Sequence, residues 1–141
     1  PEVIMVGEVR DRETAAVAVE AALTGHLVFS TLHAGSAAGV VGRLLEMGVE
    51  PHLLTSGVRG ILNQRLLRRL CDGCRGAGCA ACGGSGYRGR LLLAELLVPD
   101  AGFRRAVLVR ADAEQLEAAA ARSGLRSLRA AAADAVAAGQ T

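Results

Sequence analysis

Lysine is absent from this chain: every one of its 16 basic positions is arginine, set against 14 acidic ones, for a formal net charge of +2. A phosphate-binding loop of the form G-x-x-x-x-G-K-[ST] needs a lysine that reaches the β and γ phosphates, so no such loop exists within these 141 residues. Aromatic residues are also scarce: Phe29, Tyr87 and Phe103, with no tryptophan. Proteins that hold single-stranded nucleic acid stack bases on several rings, and a charge of +2 is too small to demand a nucleic-acid or membrane partner. No uninterrupted apolar run reaches the length of a transmembrane helix, and no signal-peptide pattern is visible. The four cysteines all fall between residues 71 and 82. In a reducing compartment that clustering favours a metal over disulfides.

What is present has the length of one ordinary domain. It opens at Pro1, directly before a strand-like run, and the expectation is that the chain was cut from something longer. Val-Ile-Met-Val at 3–6 is apolar without alternation, the pattern of a parallel strand covered on both faces. Asp11 is placed to cap a helix over 12–23, with Glu13 in its positive first turn and Gly25 just past its end. Residues 27–32, "LVFSTL", read as a second buried strand, and Ser36 caps a helix over 37–47 that Gly48 closes. Strand, helix, strand, helix is the alternation of an α/β protein with a parallel sheet. Two strands do not bury both of their faces, so further strands are expected from outside this chain. Leu54, Val58, Leu62, Leu66 and Leu70 recur every four residues and predict one helix starting at Pro51. Residues 87–98 predict one or two strands. Helices are expected over 100–109, 113–122 and 125–138, with Asp112 and Gln115 at capping-box spacing and an alanine content that anchors them weakly.

Open parallel sheets bind ligands beyond the carboxyl ends of their strands. The first strand ends in Gly7, Glu8, Arg10 and Asp11, the second in Ser30, Thr31 and His33. If the strands are neighbours, Glu8 and His33 face one crevice. A carboxylate there holds a magnesium-bound water or orients an attacking water, and an arginine neutralises charge developing on a phosphoryl group. Strands also end in polar residues merely because they leave the core, and a histidine such as His33 is often structural. Asp11 serves equally as a helix cap.

"CDGCRGAGCAACGGSG" sets Cys71, Cys74, Cys79 and Cys82 as two C-x₂-C pairs, a set of four thiolates suited to tetrahedral Zn²⁺. With all four positions filled by protein, the metal's role is structural, and its binding free energy becomes local folding free energy. Two disulfides, or one redox-active pair, are the competing readings. Residues 71–78 and 79–86 also repeat C-x-x-C-x-G-x-G.

Taken together, "VIMVGEVRDRETAAVAVEAALTGHLVFSTLHA", "RLLEMGVEPHLL", "QRLLRRLC" and "GYRGR" resemble the secretion ATPases, the hexameric motors of type II secretion and type IV pilus assembly. The resemblance runs from residue 1 to about 98. It implies an α/β fold: a partial RecA-like parallel sheet with flanking helices, a small four-cysteine zinc-binding insertion and a C-terminal helical subdomain. The implied divisions are 1–70 for the ATPase core, 71–86 for the metal-binding segment and 87–141 for the helical part. The first strand is similar to a Walker B strand, with Glu8 near magnesium and the lytic water, assisted by His33 and Arg10. "TGHLVFSTLH" is similar to the family's histidine motif, which makes Thr24, His26, Thr31 and His33 candidates for sensing nucleotide, with Gly7 of the first strand end a further cofactor-binding candidate. ATP with Mg²⁺ and Zn²⁺ are the implied cofactors. A homo-hexamer and the inner-membrane platform proteins of secretion or pilus assembly are the implied partners, at the cytoplasmic face of the inner membrane and without membrane insertion or nucleic acid. Ala34 stands where the family has a threonine, and the cysteine region is shorter than the family's. The family's phosphate-binding loop precedes its Walker B strand, so this chain alone is expected to bind ATP weakly or not at all. Two rivals remain: a DnaJ-like zinc module that binds exposed apolar segments, suggested by the cysteine repeat, and a zinc-ribbon nucleic-acid binder.

Overall fold

The computed structural model describes residues 1–141. They form two compact units: residues 1–61 with 96–125, and residues 62–95 with 126–141.

The first unit opens with β1 (Val3–Val6), α1 (Arg12–Leu23) and β2 (Leu27–Ser30). The strands pair in parallel, Val3 opposite Leu27 and Met5 opposite Phe29. Asp11 caps α1 by accepting the Thr14 backbone N–H at 2.8 Å, and the chain turns at Gly25 with φ +101°. Both strands were expected to be buried. Instead Val3 is 55% and Met5 75% exposed, with Leu27 and Phe29 beside them on one face, while Ile4 and Val28 on the other face are half-buried. Alternate side chains of a strand point to opposite faces, and this two-stranded layer has one face covered within the unit.

Ser36 caps α2 (Ala37–Glu46) by accepting the Gly39 N–H at 3.0 Å, and α3 (Pro51–Gly57) follows with its proline in the first turn. The helix predicted from Pro51 to Leu70 ends at Gly57, and residues Ile61–Leu70 form a strand, β3. The reason is arithmetic as well as propensity. A recurrence of four is close to the helical turn but is also twice the strand repeat, so Leu62, Leu66 and Leu70 share one side in either conformation. Gly57 and Gly60, each about 1 kcal/mol less helical than alanine, decide between them.

Two capped helices complete the first unit. Asp100 accepts the Phe103 N–H at 2.7 Å at the start of α4 (Ala101–Leu108), and Asp112 accepts the Gln115 N–H at 2.8 Å at the start of α5 (Ala113–Arg122). Helix α4 packs on α3 and α5, and α5 also packs on α2. The core centres on Leu54, Phe103, Val107 and Leu116. The alanine content was expected to leave this region weakly anchored, yet Ala119 and Ala120 are buried, because small side chains let α5 approach its neighbours closely.

In the second unit β3 pairs with β4 (Tyr87–Leu97). The strands run in opposite directions: Asn63 bonds Glu95, and the Cys71 N–H donates to the Gly86 carbonyl at 2.9 Å. Arg68 and Arg69, adjacent in a strand, point to opposite faces. Arg68 lies 4.2 Å over the Tyr87 ring, and Arg69 pairs with Asp72 at 3.3 Å. Helix α6 (Leu128–Ala137) is held by the buried Glu95, whose carboxylate accepts the Leu128 N–H and the Asn63 amide, both at 3.0 Å. The final residues close on β3, where Leu70 N–H reaches the Gln140 carbonyl and the Thr141 hydroxyl reaches the Arg68 carbonyl.

Candidate functional site

Beyond the carboxyl ends of β1 and β2 the pairing continues through one residue. The Val9 N–H donates to the Thr31 carbonyl at 2.8 Å, and the Thr31 hydroxyl donates to the Gly7 carbonyl at 2.7 Å. Glu8 sits between those two tied residues. Its carboxylate accepts Arg10 Nε at 2.6 Å and Arg10 Nη2 at 2.5 Å on Oε2, and His33 Nε2 lies 3.2 Å from Oε1. The Arg10 hydrogen bond, reinforced by the charges of Arg10 and His33, holds the Glu8 carboxyl below the usual carboxylate range, and the same bond raises Arg10. Glu8 is therefore ionised at neutral pH, with its two oxygens given to different partners.

These groups line an open crevice of about 210 Å³, together with Val9, Leu32, Arg43 and Met47. Arg43 had not been singled out from the sequence. It comes from α2, a third element, and its i, i+4 spacing from Met47 puts both on one side of that segment without showing which way that side faces.

Other residues predicted for the site lie elsewhere. Thr24 and His26 precede β2, whereas His33 follows it. At that opposite end the Thr24 hydroxyl donates to the Ala21 carbonyl at 3.0 Å, with His26 Nδ1 at 3.3 Å from it and 3.1 Å from the same carbonyl. Asp11 acts as the cap of α1, and its bond from the Thr14 N–H lowers its pKa. The hydroxyl of Thr31 is committed to Gly7, which makes it a tie between strand ends.

In the second unit the sulfur atoms of Cys71, Cys74, Cys79 and Cys82 all lie within 4.8 Å of one another, with no disulfide. The pairs 71–79 and 74–82 are 3.8 Å apart and 79–82 is 3.7 Å apart. A tetrahedron of sulfurs around zinc, with bonds of about 2.3 Å, has edges of about 3.8 Å. The donor set therefore fits the ion. Hydrogen bonding from the Cys79 N–H at 3.2 Å, against the effect of burial and helped by the Gly86 N–H at 3.3 Å, brings the Cys82 thiol down to about 6. Cys79 also gains from a hydrogen bond with the Cys82 backbone. Its bond to the Cys82 sulfur, burial, and the crowding of Cys74 and Cys71 outweigh that and push it up to about 11. The glycine ending each eight-residue repeat is required by close approach. A Cβ on Gly78 would stand 2.7 Å from the Gly84 carbonyl oxygen, and one on Gly86 2.5 Å from that of Gly76.

Residues 1–141 match the family described as type II/IV secretion system protein. The chain is 42% identical to the type IV pilus assembly ATPase PilB of Thermus thermophilus, covering 92% of this chain and 18% of that protein. It is 49% identical to the type II secretion system protein HxcR of Pseudomonas aeruginosa, covering 92% of this chain and 29% of that one. Its fold is similar to the X-ray structure of the Legionella pneumophila ATPase DotB, with a TM-score of 0.72 and 28% identity, over 99% of this chain and 36% of that one. The chain thus spans less than a third of these curated relatives' length.

Proposed function

The chain belongs to the type II/IV secretion system protein family, and from that membership we propose that it is the catalytic-strand part of an ATP-hydrolysing motor for type II secretion or type IV pilus assembly. The observation that carries this reading is the pairing of Glu8 with His33, 3.2 Å apart at neighbouring ends of two parallel strands. Open α/β sheets bind ligands at that edge.

On this reading the phosphoryl end of ATP enters the crevice. Glu8, ionised because Arg10 and His33 stabilise its charge, orients the attacking water and accepts a hydrogen bond from it. His33, whose side chain is 96% exposed, is free to turn from Glu8 towards a phosphate oxygen. Arg10 neutralises charge on the equatorial oxygens as the phosphoryl group transfers. Magnesium bound beside Glu8 supplies Lewis-acid stabilisation of the phosphates. Cys71, Cys74, Cys79 and Cys82 hold Zn²⁺ as a structural ion. The motor works as a homo-hexamer beneath an inner-membrane platform, on its cytoplasmic side. The relatives named for pilus assembly and for type II secretion support those two tasks for it. With no lysine and no G-x-x-x-x-G-K-[ST] run, the chain by itself hydrolyses ATP weakly or not at all.

The test uses a longer protein carrying both this chain and a phosphate-binding loop. Glu8→Gln is expected to lower its magnesium-dependent ATPase rate roughly 10²- to 10⁴-fold, and His33→Ala to lower it less. A rate unchanged by Glu8→Gln overturns the assignment. Stoichiometric ATP hydrolysis by the 141-residue chain overturns the claim that it needs more than it contains.

A further inference from the structure

The crevice holds one more charged group than the proposed chemistry uses. Glu8 is its single carboxylate, and Arg10 grips that carboxylate through two nitrogens. Arg43 enters from α2 as a second cation. Arg43 has a partner, Glu46, with Nη1 to Oε2 at 3.0 Å, but the two are one helical turn apart and both more than half exposed. Such i, i+3 surface pairs are weak and readily exchanged. With Arg10 and Arg43 against Glu8, the lining carries a net positive charge even when His33 is neutral. The opening volume of about 210 Å³ is below the roughly 300–1,000 Å³ of pockets that enclose a whole small-molecule ligand. It suits the end of a ligand, and that end must be anionic.

We propose that Arg43 is a second phosphoryl-binding residue, which leaves Glu46 to fork onto the terminal phosphate group of the ligand opposite Arg10. This rests on the phosphate reading of the crevice and deepens it by assigning the recognition of the phosphoryl end to two arginines on different elements. Arg10 is tied to the end of β1 and Arg43 to a helix whose N-terminus is fixed by Ser36, so their separation is set by backbone and not by flexible side chains alone. A planar guanidinium offers parallel N–H donors that match two phosphate oxygens, which an ammonium does not.

The test is a titration of the ¹⁵N-labelled chain with inorganic tripolyphosphate, inorganic phosphate and ATP, each with Mg²⁺, following the arginine Nε–Hε resonances. Millimolar binding is sufficient for this readout. The Arg10 and Arg43 signals are expected to shift together and saturably with tripolyphosphate, while those of Arg68 and Arg69 in the other unit stay. Arg43→Gln is expected to weaken tripolyphosphate about ten- to a hundredfold, and Arg43→Lys less, since it keeps the charge without the fork. ATP binding no tighter than tripolyphosphate supports a subsite for the phosphoryl end. Inorganic phosphate binding as tightly as tripolyphosphate shows a site for free phosphate and overturns the ligand-end assignment. If Arg43→Gln leaves the affinity unchanged while Arg10 still responds, the Arg43 assignment falls and the phosphate reading stands. If neither arginine responds in this chain, nor in the longer protein that also carries a phosphate-binding loop, both fall. Arg43 is exposed and outside the core, and a dispersed amide spectrum of each variant confirms that folding is intact.

Discussion

Thr31 donates its hydroxyl to the carbonyl of Gly7 at 2.7 Å, and its own carbonyl accepts the N–H of Val9 at 2.8 Å. One residue of the second strand end thereby grips the backbone on both sides of Glu8. The side chain lies at a strand end among the candidate site residues, but its hydrogen bond is spent on alignment. It fixes where the Glu8 carboxylate emerges relative to His33.

Removing that tie separates alignment from chemistry. Thr31→Val keeps the β-branched shape and loses the hydroxyl, and is expected to cost about 1 kcal/mol in stability. If the proposed ATPase reading holds, in a longer protein carrying a phosphate-binding loop it is expected to lower kcat more than it raises KM. Thr31→Ser restores the donor and most of both. Urea unfolding and steady-state kinetics read the two effects. A Thr31→Val protein of wild-type stability and rate would show that the bond positions nothing.

The ion pair of Glu8 makes a pH prediction with a definite sign. Its folded pKa lies below the ordinary 4.5, first because of the Arg10 hydrogen bond. The pairing is therefore fully present above that ordinary value and is lost as pH falls through the lower, folded one. Arg10→Gln should move the Glu8 midpoint back upward. The carboxyl ¹³C shift of Glu8 followed against pH measures this, and an unmoved midpoint would remove Arg10 as the cause.

Metal removal should act locally. The chain is expected to carry one zinc per molecule. A strong chelator, or Cys74→Ser, should release it and abolish amide-exchange protection through residues 71–86, because four crowded thiols lose the cation that holds them together. Elemental analysis and hydrogen exchange give the readout. Retained order after chelation, with two disulfides found by mass, would favour the disulfide alternative.

The first unit's core has a single large aromatic. Phe103 is 1% exposed, among Leu54, Val107 and Leu116. Phe103→Ala is expected to destabilise the chain by about 3–5 kcal/mol, measured by thermal or denaturant unfolding. A cost under about 1 kcal/mol would mean that the core collapses around the lost ring.

The meeting of Glu8 and His33 was legible in the letters because both are local to two strand ends. Glu8 lies two residues past Val6, and His33 three past Ser30, so a parallel pairing sufficed to bring them together. The caps were legible for the same reason: Asp11, Ser36 and Asp112 each act within three residues of themselves. Arg43 escaped notice because it reaches the crevice from a third element, and no local pattern says which way α2 lies across the strand ends. The stretch after Gly57 was misread because a leucine every fourth position satisfies a helix and a strand alike. Thr24 and His26 share the motif of Thr31 and His33 but sit at the other end of β2. From His26 to Thr31 the strand rises by about 16 Å.

Local order along the backbone determined β1 and β2, the capped helices, the lack of a phosphate-binding lysine and the four-thiol cluster, since each depends on neighbours a few positions away. The tertiary structure alone decided that residues 61–70 extend and pair with 87–97, that Glu95 is buried to anchor α6, and that Arg43 joins Glu8, Arg10 and His33. Those outcomes depend on which distant segments meet, and a side chain's partners are set by packing that no short window of sequence contains.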